Sequence, residues 1–271
     1  MEVSFVKLSP TQNVTILVTD AVPRKLQPEI AARLLACDGV GGEQVGFLEA
    51  PAATGALARL QMMGGEFCGN ATMALGAYLA WTDGLADGEA LDGELEVSGA
   101  ERPVPCRILR EGTQWRGTVQ MPLPERMEQV ELETDGGAVR ADAIVFSGIT
   151  HVVLPVGLGI GRPEIERRIR EWNARIGADA LGVLRFDAAA GRIEPIVYVP
   201  ATDSAVWERG CGSGTAAAGC WMARRAGRPF SGEIRQPGGA IEVSAGWTGT
   251  SVDRLSITGR VKIVARGVAY L

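Results

Sequence analysis

The sequence predicts an α+β protein built of two similar halves. A nine-residue pattern occurs twice, as Cys68-Gly69-Asn70-Ala71-Thr72-Met73-Ala74-Leu75-Gly76 and as Cys211-Gly212-Ser213-Gly214-Thr215-Ala216-Ala217-Ala218-Gly219, with Cys, Gly, Thr, Ala and Gly at matching places. Three other segments are echoed in the same order. Ser9-x-x-x-Asn13-Val14 returns as Ser147-x-x-x-His151-Val152, Pro28-Glu29-Ile30 as Pro163-Glu164-Ile165, and Val45-Gly46-Phe47-Leu48 as Leu181-Gly182-Val183-Leu184. The offsets of 138, 135, 136 and 143 residues keep the four matches collinear, which marks a duplicated half-domain rather than a short repeat. Short β-branched runs also outnumber helical stretches.

Taken in order, residues 3–20 read as two strands around a turn, the second being Val14–Val18. Pro28-Glu29-Ile30 opens a helix, because Pro suits the first helical position and Glu the first turn. Strands are expected at Val45–Leu48 and Ala58–Met63. A helix runs from Gly69 to about Thr82 and stops near Gly84, a C-terminal glycine. Strands follow at Leu95–Ser98, Arg107–Arg110 and Gly117–Met121, and Pro122-Leu123-Pro124 marks a boundary. In the second half Ile165, Ile169, Trp172 and Ile176 share one helical face, which reads as core, with the arginines solvated. Arg224-Arg225 suit a helix C-terminus. The division expected is 1–123 for the first half and 124–260 for the second.

Composition narrows the function. Of 271 residues 46% are hydrophobic and 22% charged, and the net charge is −5, as in an ordinary globular protein. A pI of about 5.2 argues against nucleic acid or an anionic membrane surface as partner. No signal peptide or membrane span is read. Five cysteines without a CxxC pair and a single histidine point to a reducing cytoplasm and argue against a Cys/His metal site.

The chemistry is read from Cys68 and Cys211. Each opens a helix, where unpaired N–H groups and the helix dipole favour negative charge and lower a thiol pKa. Two symmetric halves would bring both to opposite walls of one cleft. One thiolate then removes a Cα proton from an amino acid and the other thiol returns a proton to the opposite face. N–H groups at Gly69-Asn70 and Gly212-Ser213 would hold the substrate carboxylate. This scheme needs no cofactor and no metal. Cys37, Cys106 and Cys220 read as inert packing. His151 matches Asn13 and is placed at the cleft wall.

These motifs resemble the diaminopimelate epimerase superfamily of cofactor-independent racemases. Asn13, Gly41–Gln44, Cys68-Gly69-Asn70, Gly-x-x-His151, Cys211-Gly212-Ser213-Gly214 and Gln236-Pro237-Gly238-Gly239 carry the resemblance over most of the chain. It implies two pseudo-symmetric halves, each a β-barrel-like sheet around a central helix, with the last strand (about 261–271) returning to the first half. It also implies a homodimer. Diaminopimelate epimerase itself is less similar: residues that grip the distal substrate end in that family are replaced here by Met62, Ile149-Thr150 and Pro195, and Glu208-Arg209-Gly210 abuts Cys211. The sequence is more similar to the histidine racemase branch that serves staphylopine-type opine metallophore biosynthesis, through Asn13–Val18, Glu43–Phe47, Glu66–Met73 and Trp207-Glu208. That resemblance implies Cys68 and Cys211 as catalytic and Asn13, Glu43, Gln44, Gly69, Asn70, His151, Glu208, Gly212 and Ser213 as substrate-binding, with Glu43 or Glu208 facing an imidazole or ammonium. Competing readings are a racemase or epimerase for diaminopimelate or another amino acid, a thiol-redox sensor, and an amino-acid-binding protein.

Overall fold

A computed structural model describes residues 1–36 and 38–271. Cys37 lies outside the described residues. The fold is α+β and sheet-dominated, in two compact units, one of Met1–Met121 with Ile257–Leu271 and one of Pro122–Ser256.

The first unit runs β1 (Glu2–Pro10), β2 (Thr15–Val18), α1 (Gln27–Leu35), β3 (Gln44–Glu49), β4 (Arg59–Met62), α2 (Gly69–Thr82), β5 (Ala90–Val97), β6 (Val104–Glu111) and β7 (Gln114–Gln120). Thr11 and Gln12 turn β1 into β2 with φ of 47° and 62°, both left-handed, and Asn13 N–H closes the turn on the Pro10 carbonyl at 2.9 Å. α1 carries Pro28 and Glu29 in its first turn and buries Ile30, Ala31 and Leu34 against Ile16, Val18, Val45 and Phe47. Each such side chain taken from water contributes about 1.5–3 kcal/mol. α2 is different. Its residues 69–77 are buried without interruption, and it packs on β1, β2, β4, β5, β6 and β7. A helix apolar all round belongs inside a core. Gly76 makes this packing possible, since a Cβ there would lie 2.7 Å from Ile108 Cδ1 on β6.

The second unit contains β8 (Arg126–Thr134), β9 (Gly137–Phe146), β10 (Ile149–Pro155), α3 (Arg162–Ile176), β11 (Leu181–Asp187), β12 (Arg192–Val199), β13 (Ser204–Trp207), α4 (Gly212–Ala226), β14 (Phe230–Gln236) and β15 (Gly239–Ala245). Its strand order is β15-β14-β12-β11-β10-β9-β8, with β13 on β12. α3 buries Ile165, Ile169 and Trp172 as its periodicity predicts, and ends at Gly177 in the left-handed conformation. Arg167 and Arg168 on its outer side bind Asp135. The hairpin of β8 and β9 was not among the elements read from the sequence. Gly219 on α4 repeats the close approach of Gly76, with a Cβ there 2.5 Å from Val243 Cγ2 on β15.

The last strand, β16 (Leu255–Tyr270), returns to the first unit. It lies between β7 and β1 and pairs antiparallel with β1 from Glu2↔Tyr270 to Pro10↔Val261. The order β1 to β7 then β16 closes an eight-stranded barrel. Closure removes the sheet edges that would otherwise invite pairing with other chains.

Candidate active site

Cys68 is the N-cap of α2. Its backbone is extended (φ −134°, ψ 109°) and its Sγ accepts the N–H of Ala71 at 3.4 Å, while Thr72 Oγ1 donates to the Cys68 carbonyl at 2.7 Å. Cys211 caps α4 by the same bonds (φ −112°, ψ 108°), with Gly214 N–H on its Sγ at 3.2 Å and Thr215 Oγ1 on its carbonyl at 2.7 Å. Helix starts prefer the side-chain oxygens of Ser, Thr, Asp and Asn, and sulfur is a weak acceptor. Helix stability therefore does not account for cysteine at either position.

In the first unit four of the expected site residues are joined. Asn13 Nδ2 donates to Glu43 Oε2 at 2.7 Å. Gln44 Nε2 donates to Asn13 Oδ1 at 2.7 Å and to Thr15 Oγ1 at 2.8 Å. The Cys68 thiol donates to Gln44 Oε1 at 3.2 Å. Gln44 stands at the first position of β3, opposite Thr15 on β2, which aims its side chain at the start of α2. Gly69 and Asn70 form the buried first turn of that helix. A Cβ on Gly69 would lie 2.7 Å from Met121 Sδ.

In the second unit Ser213, second residue of α4, has its Oγ 3.6 Å from Cys211 Sγ and 2.9 Å from His151 Nε2. Glu208, half-buried and three residues before Cys211, forms a hydrogen bond with its thiol. Gln236 Oε1 accepts the Cys211 N–H at 2.7 Å, and Gln236 Nε2 donates to Thr215 Oγ1 at 2.7 Å. Gly212 is buried as the first helical residue.

Two expectations change. The helix start does not leave Cys211 a low-pKa thiol. Its burial, at 3% exposure, and then the Glu208 carboxylate push the thiol well above its usual range, against the bonds from Ser213 and Gly214. Desolvation of the charged form exceeds what one helix end returns. His151 does not take the place of Asn13. Asn13 follows directly on its two-residue turn, whereas the residue after the Ser147-Gly148 turn is Ile149, and His151 lies two positions further, inside β10. The imidazole is fully buried and edge-on to Phe146. Burial holds it neutral, with its pKa down at about 3. Cys106 and Cys220 are buried as expected, and burial raises them to about 11 and about 12.

The sequence reading missed two supports. Gly182 faces His151 across the β10–β11 pair, and a Cβ there would lie 2.0 Å from Nδ1, so only glycine leaves room for the ring. Gln236 stood in a recognised motif, but its bond to the Cys211 backbone depends on strand placement that no local pattern encodes.

This arrangement sets a thiol at each of two helix starts, each within a polar network. The fold is that of known racemases and epimerases. A hydroxyproline epimerase from Agrobacterium vitis superposes with a TM-score of 0.71 at 16% identity, covering 100% of this chain and 93% of that one. A probable proline racemase from Agrobacterium radiobacter K84 gives 0.70 at 16% identity, covering 99% and 92%. The family model described as the Histidine racemase CntK N-terminal domain matches residues 2–270. A histidine racemase of Staphylococcus aureus (strain Mu50) is 32% identical over 275 residues, 99% of this chain and 98% of that protein. A histidine racemase of Fusobacterium nucleatum subsp. nucleatum is 27% identical over 270 residues, 98% and 96%. The chain belongs to the histidine racemase family, and it is an amino-acid racemase, an isomerase. Among the described residues no helix is long and apolar enough to cross a membrane.

Proposed function

We propose that this racemase interconverts L- and D-histidine by a two-base mechanism in which Cys68 and Cys211 act on opposite faces of Cα. The observation that carries the mechanism is the pair of matched cysteine N-caps, one in each unit, at positions where cysteine is a poor cap. The names of the full-length relatives support histidine as substrate. In each direction one thiolate takes the α-proton, the C–H electron pair moves toward the substrate carboxylate, and the other thiol gives its proton to the opposite face. The two sulfurs end with exchanged protonation. N–H groups at Gly69-Asn70 and Gly212-Ser213 hold the carboxylate while it gains charge. Glu43, oriented by Asn13, accepts from the imidazole N–H. Glu208 receives the substrate ammonium, which offsets the carboxylate that keeps Cys211 protonated and so frees that thiol to ionise.

His151 acts through Ser213 in this reading. A proton on Nδ1 would be a buried donor without a partner, which costs about 1–3 kcal/mol. The proton therefore sits on Nε2 and is donated to Ser213 Oγ, which leaves the serine proton for Cys211. The element orders support two pseudo-symmetric halves, each with its cysteine helix central to its sheet. In both, parallel strands flank the first helix (β2 with β3, β10 with β11) and a further parallel step flanks the second (β4 with β5, β12 with β14). Paired working thiols require a reducing compartment, which fits the cytoplasm, and the product fits supply of D-histidine to an opine-type metallophore.

The test is α-proton exchange in D₂O followed by NMR, with reduced protein, no added cofactor, and L-histidine, D-histidine, LL-diaminopimelate and L-proline. Exchange is expected on both histidine enantiomers. Cys68→Ser and Cys211→Ser should each abolish racemisation without lowering the melting temperature, because Ser is the better cap. Full activity in both variants overturns the two-base mechanism, and exchange confined to another amino acid overturns the substrate.

A further inference from the structure

We propose that Gln44 is a positioning residue that keeps the proton on Cys68 in the resting enzyme. The proposal rests on the two-base reading above and adds which group sets the resting protonation of the first-unit sulfur.

The hydrogen bonds of the first unit run in one direction, and chemistry forces that direction. The carboxylate of Glu43 can only accept, so Asn13 must turn its Nδ2 toward it. Asn13 Oδ1 then faces the other way and can only accept, so Gln44 must present its Nε2. The second proton of that Nε2 is taken by Thr15 Oγ1. Thr15 is 1% exposed, and its own hydroxyl proton is directed to the Asn13 carbonyl at 3.3 Å. With both amide protons committed, Gln44 has only its Oε1 left for Cys68 Sγ, 3.2 Å away. An amide oxygen has no proton to give. The contact is attractive while Cys68 is a thiol and repulsive when it is a thiolate. A hydrogen bond to the neutral form favours that form. Flipping the Gln44 amide to offer an N–H to the sulfur would set its oxygen against Asn13 Oδ1, so the orientation is locked.

The second unit lacks this device. There the Glu208 carboxylate bonds the Cys211 thiol directly, and a serine hydroxyl, which can donate, also stands beside it. The two thiols are therefore held protonated by different means. Glu43, through two amides, favours the protonated form of one of them. Glu66 lies two residues before Cys68, Arg116 is on β7, Lys7 on β1 donates to the Val40 carbonyl, and Arg59 pairs with Glu49 and Glu96.

The experiment is alkylation of the full-length reduced protein by iodoacetamide across pH, with the extent at Cys68 read from its own peptide by mass spectrometry. Reaction rate follows the thiolate fraction. Gln44→Ala, which removes the acceptor and admits water, should lower the Cys68 midpoint by about one pH unit. Gln44→Glu, which sets a carboxylate against the sulfur, should raise it by a similar amount. The Cys211 midpoint, read in the same digests, should stay in place. Opposite shifts are a signature that loss of packing does not produce. A Cys68 midpoint that is unchanged in both variants, or that moves the same way in both, overturns the proposal. The two-base reading fails separately, if Cys68→Ser and Cys211→Ser both keep full activity, whatever the alkylation shows.

Discussion

The single histidine of this chain is fully buried, and its environment gives a pH signature. The folded imidazole titrates at about 3 against 6.5 for the free group. Between those values the unfolded chain binds a proton that the native protein refuses. The stabilisation is therefore complete above pH 6.5 and is lost as pH falls, by about 1.4 kcal/mol per pH unit until the folded value is reached. Denaturant titrations at pH 7, 6 and 5 should show this slope, and His151→Gln should flatten it even if its stability at pH 7 is lower. An equal slope in the variant would mean that another group is responsible. Glu49 and Asp135 are held below the usual carboxylate range, Glu49 by bonds from Arg24 and Gln27 acting against burial and Asp135 by its bond from Arg168, so they contribute nearer pH 4 and below. Of the site residues, the cysteines and their helix-start neighbours were legible from the repeat. The surroundings of His151 were not. Its burial depends on Gly182, thirty-one residues away and adjacent only because β10 and β11 are parallel neighbours.

Among the elements, the β1–β2 hairpin carries local strain beside the site. Its two turn residues are both left-handed, yet neither is Gly, Asn or Asp, the residues that such turns favour. Thr11 is β-branched, and its buried Oγ1 has no hydrogen-bond partner. Each of these features costs about 1–3 kcal/mol, while glycine would forfeit about 0.5–1 kcal/mol of chain entropy. Thr11→Gly should therefore raise stability by about 1 kcal/mol, read as a higher denaturation midpoint. A lower midpoint would mean that the threonine methyl packs for more than the strain costs. Asn13 follows this turn directly, so the same variant reports whether the strain serves catalysis: a stabilised protein with reduced histidine exchange would tie the two together. The sequence suggested two strands around a turn here, but the absence of a glycine hid the turn type.

For the whole molecule, the closing strand is the vulnerable connection. β16 supplies one of eight barrel strands from the far end of the chain, and Ile257, Val261 and Ala269 on it are buried. Without it β1 and β7 become open edges, and the core loses apolar cover worth several kcal/mol, at about 1.5–3 kcal/mol per large side chain. Deleting residues 257–271 should leave the amides of 1–121 poorly protected in hydrogen exchange while those of 122–256 keep their protection. Equal protection in both units would show that the barrel does not need closure. Such a long-range partnership also slows folding, because its ends are separated by nearly the whole chain.

The sequence by itself determined the α+β class, the duplicated cysteine helices, the amphipathic α3 and the racemase chemistry, because these rest on residue type and short periodicity. Only the tertiary structure decided how each thiol is held. Gln44 reaches Cys68 because β2 and β3 set it opposite Thr15. His151 turns inward because Gly182 leaves a space its ring can fill, and Cys211 resists ionisation because the chain buries it beside Glu208. Hydrogen-bond direction and desolvation belong to neighbours in space, which a linear pattern does not specify.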